Sequence, residues 1–252
     1  MCRHVAYLGD PVFLREVLID PPYGLHRQAW EPRRQRHGTI NADGFGVGWY
    51  AEGDPAPARY RQAVPMWTDV SFADVARVTR TRALLAAVRS ATEGTAPDAS
   101  AACPFGDGRH LFSHNGVVEG WPGSAADLAG ALPPALLLDL PARTDSALLW
   151  ALVRHLLAGG ASMAAALAGA VRETTARTAG RLNLLITDGT SIAATTYGDT
   201  LSYRMDGSSV VVASEPYDDE PGWVDVPDKS LLVARPGEVS VRPLDAASLE
   251  EM

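Results

Sequence analysis

A cysteine stands at position 2, directly behind the initiator methionine. Aminopeptidases remove a first methionine when the next side chain is small, which leaves Cys2 with a thiol and a free α-amino group. An α-amine has an ordinary pKa of about 7.7–8.0, so near neutral pH part of it is unprotonated and can act as a base. Nucleophile and general base then reside in one residue, and the protonated amine can hand its proton to a departing amine. Position alone leaves two other readings open. Cys2 can be a small apolar residue beginning a strand, or it can pair with His4, about 6.6 Å along the same strand face.

Other reactive residues offer less. The only other cysteine, Cys103 in Ala102-Cys103-Pro104, shows no partner and reads as an incidental loop thiol. Two cysteines are too few for a disulfide framework. His110 and His114 share a strand face but lie roughly 13 Å apart, too far for one ion, so no metal and no cofactor are expected. Gly44, Gly46 and Gly48 alternate with Phe45, Val47 and Trp49, leaving one strand face bare for a backbone or a ligand. Their spacing is not that of a dinucleotide loop. The short basic run Arg33-Arg34-Gln35-Arg36-His37 reads as a solvated or partner-facing loop.

The elements that must position these residues follow from periodicity. His4–Leu8, Gly44–Tyr50, Ala83–Val88 and His110–His114 read as strands, with a polar loop from Thr92 to Asp107. Thr144-Asp145-Ser146 opens a helix whose stripe is Leu148, Leu149, Leu152, Val153, Leu156 and Leu157, stopped by Gly159-Gly160. Ser162–Val171 is a second helix. Beyond Gly180 a strand meander is expected over Leu182–Thr187, Ile192–Tyr197, Thr200–Met205, Ser209–Ser214, Leu231–Ala234 and Glu238–Val241. Asp188-Gly189, Asp206-Gly207 and Pro236-Gly237 supply its turns. Hairpins beside a helical pair argue for α+β layers, two stacked sheets covered by helices.

Several motifs agree on a family. Met1-Cys2-Arg3-His4, Asn41-Ala42-Asp43-Gly44-Phe45-Gly46, Val88-Arg89-Ser90-Ala91-Thr92, Ser113-His114-Asn115-Gly116 and Arg143-Thr144-Asp145-Ser146 resemble, in that order, the glutaminase domain of class II glutamine amidotransferases. The resemblance spans about the first 150 residues. It implies a four-layer αββα N-terminal nucleophile hydrolase sandwich of antiparallel sheets, in a single domain over 1–252. It also implies an oxyanion hole from the Asn115 side chain and the Gly116 N–H. Arg89 is implied to hold the α-carboxylate of a γ-glutamyl group, and Asp145 its α-ammonium. By themselves Asn115-Gly116 reads as a hairpin turn, Arg89 as a surface ion pair and Asp145 as a helix cap; the joint pattern outweighs these separate readings. Ser90 and Glu93 depart from the aromatic and histidine that ammonia-channelling members carry there.

At finer grain, the N-terminal segment, the glycine strand, Phe112–Val118 and Ala213-Ser214-Glu215-Pro216-Tyr217-Asp218-Asp219 resemble the amidohydrolases of ergothioneine biosynthesis. That family removes glutamate from γ-glutamyl-hercynylcysteine S-oxide. Such a substrate carries a trimethylammonium, and Trp30, Trp49, Tyr217 and Trp223 with Asp218, Asp219 and Glu220 are candidates for a wall that reads it. A free-standing hydrolase, an ammonia-supplying subunit and an idle binding module all remain open. With 46% hydrophobic residues and net charge −8, the chain should bury a real core and avoid nucleic acid. It has neither a signal peptide nor about eighteen uninterrupted apolar residues, so a cytoplasmic protein acting on a small γ-glutamyl molecule, away from membranes, is expected.

Overall fold

The computed structural model describes residues 2–91, 95 and 98–244. Among them thirteen strands occur: β1 (Arg3–Phe13), β2 (Phe45–Trp49), β3 (Ala58–Gln62), β4 (Arg80–Val88), β5 (Phe105–Asp107), β6 (His110–Val118), β7 (Gly180–Thr187), β8 (Ile192–Thr196), β9 (Ser202–Asp206), β10 (Ser209–Ala213), β11 (Val224–Asp225), β12 (Ser230–Arg235) and β13 (Glu238–Pro243). Their helices are α1 (Leu14–Leu18), α2 (Leu25–Gln28), α3 (Val70–Val78), α4 (Ala126–Gly130), α5 (Pro134–Leu138), α6 (Asp145–Ala158) and α7 (Met163–Thr175).

The strands form two antiparallel sheets. One runs β11-β9-β10-β1-β4-β2-β3, the other β13-β12-β8-β7-β6-β5. Side chains alternate across each strand, and the alternation sorts residues into separate cores. Val5 and Tyr7 on β1, with Leu84, Ala86 and Val88 on β4, face outward onto Leu14, Leu18, Leu25 and Phe72 of α1–α3. Ala6, Leu8, Ala83 and Leu85 face inward, against Leu111, Leu185, Ala194 and Leu232 of the other sheet. The far face of that sheet, with Phe112, Leu184 and Ile186, packs on Leu149, Leu152, Leu167 and Val171 of α6 and α7. Three apolar seams therefore separate four layers, αββα.

Helix α6 starts where capping requires, because Thr144 Oγ1 accepts the Ala147 N–H at 3.1 Å; Ser162 caps α7 in the same way at 3.2 Å. The three expected turns join β7 to β8, β9 to β10 and β12 to β13. The strands after Gly180 are not one meander, however. β9 and β10 leave the sheet of β7 and β8 and extend the other sheet from β1. Local alternation fixes which residues of a strand are buried, but not which distant strand it joins. Segment 92–107, expected as a loop, includes strand β5; residues 92–94, 96 and 97, with the Glu93 departure, lie outside the described residues.

The bare glycine face is filled by packing. A Cβ on Gly46 would run into the Cys103 carbonyl, and one on Gly48 would sit 2.6 Å from Leu111 Cδ1. The glycines thus let the second sheet and the segment before β5 approach β2, and no ligand is needed to explain them.

Candidate active site

Pairing of β1 with β4 sets Arg3 opposite Val88, so the first described residue, Cys2, lies beside the end of β4. Its Sγ is 3.9 Å from the Ser90 carbonyl oxygen. Cys2 is half-buried and opens into a cleft lined also by Arg89, Ser90, Cys103, Gly116, Asp145 and Ser146. Four of the five residues expected to act together thus line one cavity although their positions span 143 residues of chain (145 minus 2).

Arg89 is 7% exposed and rigidly held. Its Nη1 donates to the Asp43 carbonyl at 3.1 Å and its Nη2 to Thr95 Oγ1 at 2.8 Å. Asp43 in turn accepts the Ala91 N–H at 2.8 Å, which ties the Asn41-Ala42-Asp43-Gly44 segment to the arginine. No carboxylate among the described residues pairs with this guanidinium. It is not the surface ion pair that sequence alone left open, since it is buried and lines the cleft.

Asp145 begins α6 and is 2% exposed. It is not the cap, since Thr144 does that work. Its Oδ1 accepts the Ser146 N–H at 2.8 Å and its Oδ2 the Val118 N–H at 3.0 Å. Two backbone donors neutralise only part of the carboxylate's acceptor capacity, leaving lone pairs toward the cleft.

Asn115 and Gly116 lie inside β6, opposite Asn183 and Leu182 of β7, and do not form a turn. Gly116 reaches the cleft, while Asn115 is not among its lining residues. The glycine is obligatory by contact, because a Cβ there would run into the Arg181 carbonyl oxygen and sit 2.7 Å from His114 Nε2. Asn115 is fully buried, with Nδ2 3.5 Å from Ser214 Oγ and Oδ1 without a hydrogen-bond partner.

His4 does not serve Cys2. Its Nδ1 faces Ser113 Oγ at 3.2 Å, and complete burial, then the nearby His114 and Arg3, push its pKa down to about 3. The imidazole is neutral throughout the neutral range and does not line the cleft into which Cys2 opens. Cys103 is placed differently from expectation. It lines the cleft beside Cys2, whereas the sequence alone reads it as an incidental loop thiol. Burial, followed by the Cys2 thiol, pushes the Cys103 thiol up to about 12, so it stays protonated. Ser146 and Ser90 are further cleft residues whose roles the sequence did not suggest.

The aromatic wall does not form. Tyr217 and Trp223 meet edge to face at 5.0 Å, and the Arg204 guanidinium already lies 5.3 and 5.1 Å from their centroids, paired with Asp218 at 2.7 Å. Trp30 packs on His26 and Trp67, and none of the four aromatics lines the cleft. The basic run stays largely exposed, as expected of a solvated loop, but is anchored through its backbone. The Glu215 carboxylate accepts the Arg33 and Arg34 backbone N–H groups at 2.8 Å each and faces the buried Arg3 at 3.7 Å. The Arg33 and Arg34 side chains pair with Asp219 and Asp225, so this loop is satisfied by its own chain.

Known proteins resemble this chain in sequence and fold. A family profile described as glutamine amidotransferases class-II matches residues 22–206. The gamma-glutamyl-hercynylcysteine sulfoxide hydrolase of Mycolicibacterium smegmatis is 46% identical over 97% of this chain and all of its own length. Its namesake from Mycobacterium tuberculosis is 43% identical over 98% of each chain. Among solved structures, a glutamine aminotransferase class-II domain protein from Silicibacter pomeroyi superposes with a TM-score of 0.67 at 24% identity, covering 97% of this chain and all of that one. Glutamine phosphoribosylpyrophosphate amidotransferase from Bacillus subtilis gives 0.68 at 16% identity, over 97% of this chain and half of that one. The layers, their order and these matches agree: the chain belongs to the class II glutamine amidotransferases, with the N-terminal nucleophile hydrolase fold.

Proposed function

We propose that this chain is a γ-glutamyl-hercynylcysteine sulfoxide hydrolase, releasing glutamate and hercynylcysteine sulfoxide in the cytoplasm as a step of ergothioneine biosynthesis. The observation that carries the chemistry is the convergence of Cys2, Arg89, Gly116 and Asp145 on one cleft. The leaving group comes from the relatives, whose names specify it at 42–46% identity over nearly the whole chain.

After Met1 is removed, the Cys2 α-amine takes the thiol proton and the sulfur attacks the γ-carbonyl carbon. Arg89 forks onto the substrate α-carboxylate and Asp145 takes the α-ammonium, which fixes the carbonyl against the sulfur. The negative oxygen is met by the Gly116 N–H and the Asn115 side-chain NH₂. Ser214 supports that role. Its Oγ accepts the His4 N–H at 3.0 Å and so keeps its own proton for Asn115. A half-turn of the amide satisfies the buried Oδ1 with that proton and frees NH₂ for the oxyanion. Collapse of the tetrahedral species breaks the C–N bond, and the α-ammonium protonates the departing nitrogen. Water, deprotonated by the α-amine, then attacks the thioester; glutamate leaves and the sulfur regains its proton.

Glutamate release should be measured with γ-glutamyl-hercynylcysteine sulfoxide and with glutamine, using protein whose N-terminus has been established by mass spectrometry. The expected result is strong preference for the first substrate, dependence on a processed N-terminus and loss of turnover in a folded Cys2→Ala variant. Equal rates on both substrates sink the leaving-group assignment. Turnover by Cys2→Ala sinks the nucleophile.

A further inference from the structure

Ser146 lines the cleft next to Asp145 but takes no part in the steps above. The direction of its hydroxyl is dictated from behind. His114 is 1% exposed; its Nε2 lies 3.0 Å from the Arg181 carbonyl oxygen and its Nδ1 lies 2.9 Å from Ser146 Oγ. A carbonyl oxygen can only accept, so Nε2 carries the hydrogen. In the neutral imidazole Nδ1 is then a bare lone pair, and Ser146 donates its single proton to it across 2.9 Å rather than to Asp145 Oδ1, which lies 3.5 Å from the same hydroxyl. That leaves Ser146 Oγ with lone pairs and no hydrogen to offer the cleft. The adjoining Asp145 carboxylate, held by the Ser146 and Val118 N–H groups, is also an acceptor. Gly116 is part of the device, because only without a Cβ can the Arg181 carbonyl come within reach of His114.

We propose that Ser146 is a specificity-determining residue which, with Asp145, accepts hydrogen bonds from the substrate α-ammonium, and that His114 is a positioning residue that fixes Ser146 as an acceptor. This rests on the reading that Asp145 receives the ammonium. An ammonium offers three donors in a tetrahedral spread, which one carboxylate held by two backbone groups cannot satisfy alone. An amine-free analogue has no use for a second acceptor, so Ser146 discriminates between the two.

The test compares kcat/KM for γ-glutamyl-hercynylcysteine sulfoxide with that for its glutaryl analogue, which lacks only the α-amine. Ser146→Ala should reduce the ratio of the two by about 10- to 100-fold, the range expected for one hydrogen bond to a charged group. The change should fall mainly on KM, with glutaryl turnover retained. Ser146→Thr, which keeps the hydroxyl, should restore the ratio to within about threefold, and Ser146→Cys, a poor acceptor of similar size, should lower it. His114→Phe should lower the ratio too, and combining it with Ser146→Ala should lower it no further, since both act through one hydroxyl. Asp145→Asn separates the two readings. If it collapses the ratio while folded Ser146→Ala and Ser146→Cys leave it unchanged, the Ser146 proposal is overturned and the site stands. If Asp145→Asn also leaves the ratio unchanged, the assignment of the ammonium to this wall fails.

Discussion

Acid stability offers a demanding test of the packing around Cys2, through His4. This imidazole follows Cys2 by two residues, is wholly buried, and has its pKa pushed down from 6.5 to about 3. In the unfolded chain it takes up a proton as pH falls through about 6.5, whereas in the folded chain it does not until about 3. Between those values the unfolded state binds more protons, so stability is greatest above pH 6.5 and is lost as pH falls. For one such group, linkage gives a loss of about 2.5 kcal/mol between pH 7 and pH 4.5. Urea unfolding at a series of pH values measures it, with His4→Gln as the reference because glutamine does not titrate. The variant is expected to be less stable at pH 7 through loss of the Ser113 contact, but to have a shallower pH dependence by about 2.5 kcal/mol over that interval. Asp199, whose pKa burial raises, acts in the opposite direction and is common to both proteins, so it cancels in the difference. Parallel curves for the two proteins would refute the claim that His4 is buried neutral, and would reopen a charged His4 beside Cys2.

Two further outcomes follow from the cleft. Arg89→Lys should raise KM about 10- to 100-fold with a smaller change in kcat, because an ammonium cannot keep the Asp43 and Thr95 bonds and also fork onto a carboxylate; steady-state kinetics with unchanged KM would remove Arg89 from substrate binding. Iodoacetamide near pH 8 should alkylate Cys2 and spare Cys103, whose thiolate fraction at a pKa of about 12 is about one in ten thousand; peptide mapping that finds both modified at similar rates would contradict the burial of Cys103.

Much of the molecule was legible before folding. The expected strands at His4–Leu8, Ala83–Val88 and Leu182–Thr187 all exist, because a run of residues buried on both faces leaves an unbroken apolar pattern. The two caps and three hairpin turns are local devices, fixed by hydrogen bonds a few residues apart, and they appear where the sequence puts them. Short elements were not legible. β3 and β5 have three to five residues, polar in part, and exist because β2 and β6 offer them edges. Asn115-Gly116 misleads locally for a similar reason. Its turn propensity is overridden by pairing with β7 along the whole of β6.

What the sequence determined by itself was the chemical inventory: a cysteine at position 2, an asparagine-glycine pair, an arginine at a strand end and an aspartate opening a helix. Those identities were readable because each is a residue type that the proposed reaction requires. Tertiary structure alone decided which of them meet. The β1–β4 register carries Cys2 to Arg89, the α6 start brings Asp145 to Val118 of β6, and Arg204 claims the aromatic faces that composition had made available. It also gave Ser146 a defined polarity, through a histidine and a carbonyl 67 residues apart in sequence. Hydrogen-bond direction is a property of a closed set of partners, and no single residue in the set carries it.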